Sequence, residues 1–265
     1  MKRKRQRIAL GVTSFNRPEM LEKCLRSIAQ NLDSAIDLLI VHDDSSDPRH
    51  AGALKRAYKR VPNAVLQLDQ SNKGVACAKN DIFRHALVER ADWVFIAEDD
   101  LIVKNLWAIT GYLEACKESG LPHLAWAHHG SANVGGPVER GEYVSYYPHS
   151  IGSWCCYSAE VLQAVGLFDE RMFNAFEHVE WEVRAFRAGW MPDCGPHRFP
   201  DATDSPEWLV EQPHSIEKSS IRPRSDWSQN IHDSLQYWRD EKRETFDLMF
   251  GEGTYLHDYA KRILS

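Results

Sequence analysis

No apolar run in this sequence is long enough to cross a membrane, which takes about 20 consecutive apolar residues. The stretch after the basic opening MKRKRQR is IALGVTSF, residues 8–15, and it is only strand-length. It is also too short for the apolar core of a signal peptide plus a cleavage site. No two cysteines stand at C-x-x-C spacing, which argues against a zinc site of that kind. The six thiols (Cys24, Cys77, Cys116, Cys155, Cys156 and Cys194) are scattered, several of them in apolar patterns where buried free cysteines are the usual reading. That fits a reduced, cytoplasmic setting, although an even count still allows disulfides. Positive charge is not in excess: the formal net charge is −6. The chain as a whole is therefore no electrostatic binder of nucleic acid. An anionic ligand must be met locally, by a few cations, a helix N-terminus or a metal. Internal repeats and low-complexity runs are missing too.

What is present is an ordinary globular composition, 43% hydrophobic and 26% charged over 265 residues. That is enough for a sizeable core. The first half alternates strand and helix patterns. Residues 8–15, 36–43, 64–69 and 92–99 read as strands, and residues 17–31, 47–60 and 75–88 as helices, with Asn16 as N-cap of the first. Such alternation predicts right-handed crossovers and a mainly parallel sheet. Ligands of such sheets bind at the carboxyl ends of the strands. Three polar clusters, DDSS, SNKG and AEDD, all fall there.

Beyond residue 101 the pattern loosens. A helix is expected over about 104–119, then an apolar stretch at 123–129 and a glycine-rich loop at 130–141. Residues 142–158 are aromatic and strand-like. Two helices follow, one ending at Gly166 and one over 177–189. Residues 195–225 carry five of the twelve prolines and little periodicity, which predicts a loop or flap before a helix near 230–250.

Four of these stretches can carry chemistry, and each has a plainer reading. Glu98-Asp99-Asp100 closes a buried strand; carboxylates there can hold a hard divalent cation that in turn takes a diphosphate, or they can simply be a solvated strand end. Asp43 and Asp44 can accept from the N–H and O–H groups of a base or ribose, whereas Asp47 reads as a helix cap. Lys73, Gly74 and Lys79 stand at a helix start that suits phosphate oxygens, or form a turn with a solvated cation. In the helix from Glu177, the residues Glu177, Glu180 and Arg184 fall on adjoining turns and His178 pairs with Glu182 at i+4, so a surface helix laced by ion pairs is the alternative. Phe173, Phe176 and Trp181 argue against full solvation.

Taken in order, TSFNRPEMLEKCLRSI, DDSSD, NKGVACAKN, EDDLIV and GLFDERMF…EHVEWEVRAFRAG resemble the GT-A fold glycosyltransferases, in particular family 2 and its relatives, over roughly residues 7–190. The resemblance implies a mainly parallel central sheet flanked by helices, a catalytic domain over 1–225 and a helical extension over 226–265 packed on it. It implies a nucleotide-diphospho-sugar donor, UDP-linked in the first instance, a glycan or other hydroxyl-bearing acceptor, and Mn2+ or Mg2+ as cofactor. By the same likeness Asp100, with Glu98 and Asp99, meets ribose and metal; Thr13, Asn16, Asp43 and Asp44 line the base and ribose pocket; Lys73, Gly74, Lys79 and Asn80 lie near nucleotide or diphosphate. His214 is the counterpart of a histidine that often reaches the metal or diphosphate. One departure stands out. The family helix usually begins Glu-Asp-x-Asp, its second residue being the general base of inverting enzymes. Here that place is His178, so His178, Glu177 and Glu180 all remain candidates, and a retaining mechanism stays open. His128-His129 could also bind metal, but reads more simply as a polar strand end, and Trp126, Tyr147 and Trp154 could stack on an acceptor sugar. Two rival classes are a non-catalytic sugar-nucleotide or glycan-binding module, because Asp is absent at 178, and a nucleotidyltransferase. The latter would need a glycine-rich, Arg-containing loop after the first strand, which GVTSFNRPEM does not supply.

Overall fold

The computed structural model describes residues 5–59, 64–215, 217–219 and 226–251. Four apolar segments become parallel strands: β1 (Ile8–Ser14), β2 (Leu38–Asp43), β3 (Val65–Leu68) and β4 (Trp93–Glu98). Each is linked to the next by a helix or a helical stretch: α1 (Pro18–Asn31), α2 (Ala51–Tyr58) and α3 (Val75–Val88). The main sheet has the order β3-β2-β1-β4-β9-β6, with β6 (His123–Ala125) and β9 (Trp154–Ser158) added at one side. Strand β9 runs antiparallel to both β4 and β6, so the sheet is mixed at that edge. Strand β1 is buried along its whole length and sits near the centre, whereas β3 alternates half-buried and exposed positions and forms the opposite edge. This is the expected contrast between a strand covered on both faces and one covered on a single face.

Register decides where the polar clusters land. Ser14 pairs with Asp43 on one side of β1, and Thr13 pairs with Glu98 on the other. The three strand ends that carry TSF, HDD and AED therefore lie side by side.

Helix α1 starts one residue later than expected and is not capped by Asn16. Arg17 holds the N-cap position without a side-chain hydrogen bond, and Pro18 opens the helix. Asn16 is instead left-handed, at φ 56°. Its Oδ1 accepts from the Asp47 N–H at 2.6 Å, and its own N–H donates to Ser46 Oγ at 2.7 Å. It joins two loops rather than starting a helix.

The second half contains more strand than its composition suggested. After β5 (Leu101–Val103) and α4 (Trp107–Ser119) come β7 (Glu139–Arg140) and β8 (Val144–Tyr147), then α5 (Ala159–Val165) and α6 (Glu177–Arg187). Residues 195–215 are not the flap that their prolines implied. Phe199–Ala202, β10, is wholly buried and pairs with β8, and Leu209–Glu211, β11, pairs with β5. Pro200 is accommodated because β10 pairs with β8 alone in its three-stranded sheet, and an edge strand can leave one side of its backbone unbonded. Residues 216 and 220–225 of that stretch lie outside the described residues.

The expected single helix near 230–250 is two, α7 (Trp227–Glu241) and α8 (Arg243–Phe250), broken at Lys242. Ile231, Leu235 and Trp238 of α7 and Phe246 and Met249 of α8 form a second apolar cluster with Met172, Val179, Val183 and Phe199. The Lys242 ammonium reaches Asp169 at 3.0 Å and Glu180 at 2.7 Å. The extension is thus seated on α6. Its last part, from residue 252, lies outside the described residues. All six cysteines are free thiols. Among the described residues no helix is long and apolar enough to cross a membrane.

Candidate active site

At the carboxyl ends of β1, β2 and β4 a cavity of about 200 Å³ opens. Thr13, Asp44, Glu98, Glu177 and His178 all line it, so five of the residues singled out from the sequence converge on one space. Ser14, Phe15, Arg17, Asn72 and Asn174 line it as well and were not foreseen. Phe15 supplies an aromatic ring at the mouth of a polar pocket, suited to stacking on a planar base.

On the β2 side the acids are partly committed to the protein. Both oxygens of Asp43 accept from Ser46, from its N–H and its hydroxyl, each at 2.7 Å. Asp43 therefore braces the loop after β2 and is not among the residues that line the cavity. Asp44 accepts from the backbone N–H groups of Lys73 and Gly74 at 2.7 and 2.9 Å and from the Asn72 amide at 2.9 Å. Burial raises its pKa, with the two backbone N–H groups pulling the other way. It fastens the loop before α3 to the end of β2. Asn72 contributes something more: its Oδ1 is buried with no partner, an acceptor available to a ligand N–H or O–H.

That loop depends on Gly74, at φ 88°, where a Cβ would meet the Phe173 carbonyl oxygen at 2.3 Å. Gly74→Ala should therefore cost about 2–4 kcal/mol of stability in denaturant unfolding. A loss under about 0.5 kcal/mol would mean that the 72–74 loop is not fixed as described. The start of α3 is also less open to phosphate than its sequence suggested. The Val75 N–H donates to Phe173 O at 2.9 Å, and Lys73 pairs with Asp69 at 2.7 Å while staying half exposed. Asn80 is buried; its amide donates to Phe168 O and Glu170, and its oxygen accepts from the Phe168 N–H. It ties α3 to the 168–170 loop rather than touching a ligand.

The β4 side holds the charges. Lys79 is buried and donates to Glu98 at 3.1 Å, to Glu177 at 3.1 Å and to Gly152 O at 2.9 Å. Burial would lower its pKa, but Glu177 and Glu98 outweigh that and raise it. Lys79 is thus the internal counter-ion that lets two acids face one cavity. Arg17 is the counter-ion of the next two, which do not themselves line the cavity: it pairs with Asp99, and its NH1 reaches Asp100 Oδ2 at 2.9 Å. Ser14 donates to Asp99 at 2.7 Å. Burial pushes Asp99 upward against the pull of Arg17. Burial acts on Asp100 too, but His129 and Arg17 more than offset it and hold Asp100 well down. Of the adjacent pair, Asp100 is the firm anion.

Whether a divalent cation fits can be judged at Asp100. Its Oδ1 and His129 Nε2 are both buried without a hydrogen-bond partner, and they stand 3.3 Å apart. Glu211 Oε1 lies 3.6 Å from the same imidazole nitrogen. Burial would lower the His129 pKa, yet Asp100, Glu98 and Glu211 together raise it. An imidazole in that field attracts positive charge, proton or metal alike. A carboxylate oxygen and an imidazole nitrogen left facing each other suit a cation that accepts both donor types. His214 does not join them. Its side chain is 70% exposed and, among the described residues, lies 3.8 Å from Glu217. His214 follows β11, whose end is anchored to the motif through Gln212: the Gln212 N–H donates to Asp100 O at 2.7 Å and its amide to Asp99 O at 2.9 Å. A second group of ligand-type atoms, on His42, Asp69 and Asp81, lies mutually within 4.8 Å. There His42 faces Gln67 and Asp69, Asp69 accepts from Lys73, and Asp81 from Arg84, so each member already has a protein partner.

The start of α6 is buried rather than solvated: Glu177, Glu180 and Glu182 are all below 5% exposed. Glu180 accepts from Arg184 at 3.2 and 3.1 Å and from Lys242 at 2.7 Å, and it does not line the cavity. It is a packing acid, held by two cations. The i+4 pair expected between His178 and Glu182 does not form; Glu182 accepts from the Ser150 hydroxyl and sits 3.2 Å from His123 Nε2. His178 turns to Glu177, with Nδ1 at 3.3 Å from Oε1, and its Nε2 is 3.4 Å from Ser150 O. Burial raises the Glu177 pKa less than Lys79 and His178 lower it, so this acid stays ionised. A helix N-terminus by itself disfavours the charged imidazole. Burial does act in that direction, but Glu177 wins and the His178 pKa is raised. Room for this cluster comes from Gly152, where a Cβ would meet His178 Nδ1 at 2.8 Å and Lys79 Nζ at 3.0 Å.

Known proteins share both the sequence pattern and the fold. Residues 10–119 match the family described as glycosyl transferase family 2. The glycosyltransferase GlyA of Streptococcus pneumoniae is 23% identical over 192 residues, which cover 69% of this chain but only 24% of that protein. Among solved structures, a mannosyltransferase from Pyrobaculum calidifontis, in complex with GDP-Man and Mn2+, aligns over 99% of this chain and 71% of its own at TM-score 0.61 and 16% identity. Residues 1–349 of TarS from S. aureus, in complex with UDP-GlcNAc, align over 92% and 71% at TM-score 0.56 and 13% identity. GalNAc-T7 with UDP, GalNAc and Mn2+ aligns over 93% and 50% at TM-score 0.62 and 11% identity.

Proposed function

We propose that this chain, a GT-A fold protein of the glycosyltransferase family 2 type, transfers a sugar from a nucleotide-diphospho-sugar to an acceptor hydroxyl. The observation that carries the proposal is the convergence of Asp44, Glu98, Glu177 and His178 on one cavity at the strand ends. In this reading Phe15 stacks on the base, while Thr13, Asn72 and Asp44 offer acceptors to base and ribose. Asp100 and His129 would hold a divalent cation, Mn2+ in preference to Mg2+, because the donor set includes an imidazole. Bound there, the cation would supply positive charge against the departing diphosphate. His178 takes the proton of the acceptor hydroxyl as that oxygen attacks the anomeric carbon, which inverts the centre. Glu177 accepts from Nδ1 and fixes the tautomer, and Nε2 serves as the basic atom once it turns from the Ser150 carbonyl, 3.4 Å away, to the acceptor hydroxyl. Lys79 keeps Glu177 ionised for that task.

The donor set supports a nucleoside diphosphate as the recognised unit. UDP-linked sugars come first, since neighbours of the same fold bind UDP or UDP-GlcNAc, with GDP-Man as the next case. Thermal unfolding with UDP or GDP, in Mn2+ or in chelator, tests this directly. Preferential binding to the folded state at 100 times Kd adds about 2.7 kcal/mol, enough to raise the melting temperature by several degrees. The gain should require Mn2+ and one of the two bases. Melting temperatures unmoved by every combination would refute the proposed site.

A further inference from the structure

A larger cavity, about 510 Å³, lies away from the strand ends. It is framed by α4, by the turn before β8 and by the residues leading into β11. Its floor is aromatic. Trp107 and Trp208 stack at 6.4 Å between ring centres and 25° between planes, and Tyr143 stands nearby. Trp107 is 52% and Tyr143 41% exposed, so their faces are open to a ligand. Gly111 makes the slot possible: a Cβ there would meet the Trp208 ring at 2.4 Å.

The walls carry Glu114, Glu142, Asp204 and Glu207, all exposed, and none of them has an ion pair among the described residues. The nearest lysine in sequence, Lys104, sends its ammonium to the Pro206 carbonyl at 3.0 Å. Asn105 uses its amide on Glu207 O. The four exposed carboxylates, without a counter-ion among the described residues, give the wall an excess of charged acceptors over its side-chain donors, which are the Asn105 amide, the two indole N–H groups and the Tyr143 hydroxyl. A neutral sugar would seek donors as well as acceptors. A guanidinium or ammonium group needs only acceptors and an aromatic face, and arginine stacks on such faces and pairs with carboxylates in two-fold fashion.

We infer that this aromatic, acid-walled groove is a docking site for an arginine- and lysine-bearing segment of a partner protein. An inserted arginine lies over Trp107 while flanking cations meet the four carboxylates. The site differs from the proposed donor cavity in both lining and charge. It stands close to it in sequence: Trp208 directly precedes β11, whose last residue, Glu211, faces His129. The inference does not depend on the transfer reaction.

Calorimetry with a short Arg- and Lys-containing peptide, beside a neutral peptide of equal length and a neutral oligosaccharide, tests it. The basic peptide should bind alone, and its affinity should fall steeply as salt rises. Trp107→Ala and, separately, the double change Glu114→Gln with Glu207→Gln should each weaken it at least about 10-fold, the scale set for cation–π contacts and charge-assisted pairs. Binding of nucleoside diphosphate should be unchanged in both. Oligosaccharide binding that is indifferent to salt and to the Gln changes would overturn the inference, as would absence of basic-peptide binding by the folded wild-type protein.

Discussion

Asp100→Ala reduces turnover about 10³-fold or more and removes the metal-dependent part of nucleotide binding, while the fold survives. The expectation follows from what Asp100 does and does not support. Its Oδ2 pairs with Arg17, but Arg17 also pairs with Asp99, so loss of Asp100 leaves no buried cation without a partner. Stability should fall only modestly. The Oδ1 facing His129 disappears, and with it the firm anion of the Asp99–Asp100 pair. A metal site worth several kcal/mol of transition-state stabilisation corresponds to roughly this loss of rate. Asp100→Asn keeps the shape and should be almost as inactive. Titration calorimetry of nucleoside diphosphate in Mn2+ and in chelator gives a readout independent of activity. Equal affinity in both for the wild type would overturn the metal assignment. His129→Ala should weaken the Mn2+ effect in the same assay, whereas His214→Ala should leave it intact.

His178→Ala lowers kcat about 10²–10⁴-fold with little change in donor affinity, because a general base touches the acceptor proton and not the nucleotide. The pH profile carries the sign. Only neutral imidazole is a base, so activity falls as pH drops through the His178 pKa. Glu177 raises that pKa above the ordinary histidine value of 6.5, which places the acid limb above pH 6.5. Glu177→Gln removes the raising charge, so the limb should move to lower pH even as the maximal rate falls through loss of orientation. The limb should vanish in His178→Ala. Glu180→Gln should leave the limb where it was and cost stability instead, since Glu180 neutralises Arg184 and Lys242. A silent His178→Ala together with an inactive Glu177→Gln would make the carboxylate the base. Retention of the anomeric configuration in the product would refute the inverting step altogether.

Much of the fold was legible because the first half obeys a simple rule: apolar strand, polar strand end, amphipathic helix. Helix α3 falls where its pattern put it, at Val75–Val88. The second half was harder for reasons that particular residues explain. Proline at 200 and 206 suggested a flap, yet β10 is buried and β11 closes against β5. Prolines restrict an edge strand much less than a central one. In the site, residue type singled out Asp44, Glu98 and His178, which line the cavity, but could not say which acids the protein keeps for itself. Asp43, Glu180 and Asn80 have the same chemistry as ligand-binding groups, but Ser46 engages the first, Arg184 and Lys242 the second, and Phe168 and Glu170 the third. Arg17 was passed over because an arginine beside a proline at a helix start looks like a solvated cap. Its partners, Asp99 and Asp100, lie more than 80 positions away. His129 was set aside for the same reason, since nothing local signals that Asp100 faces it.

The central claim is that this cavity breaks the bond between a sugar and a nucleoside diphosphate. Phosphorus NMR of UDP- and GDP-sugars incubated with the protein and Mn2+, with and without hydroxyl-bearing acceptors, tests it most directly. The account predicts growth of nucleoside diphosphate signals, dependent on Mn2+ and nearly lost in Asp100→Ala. Signals of nucleoside monophosphate or pyrophosphate, or release that persists undiminished in Asp100→Ala, would contradict it.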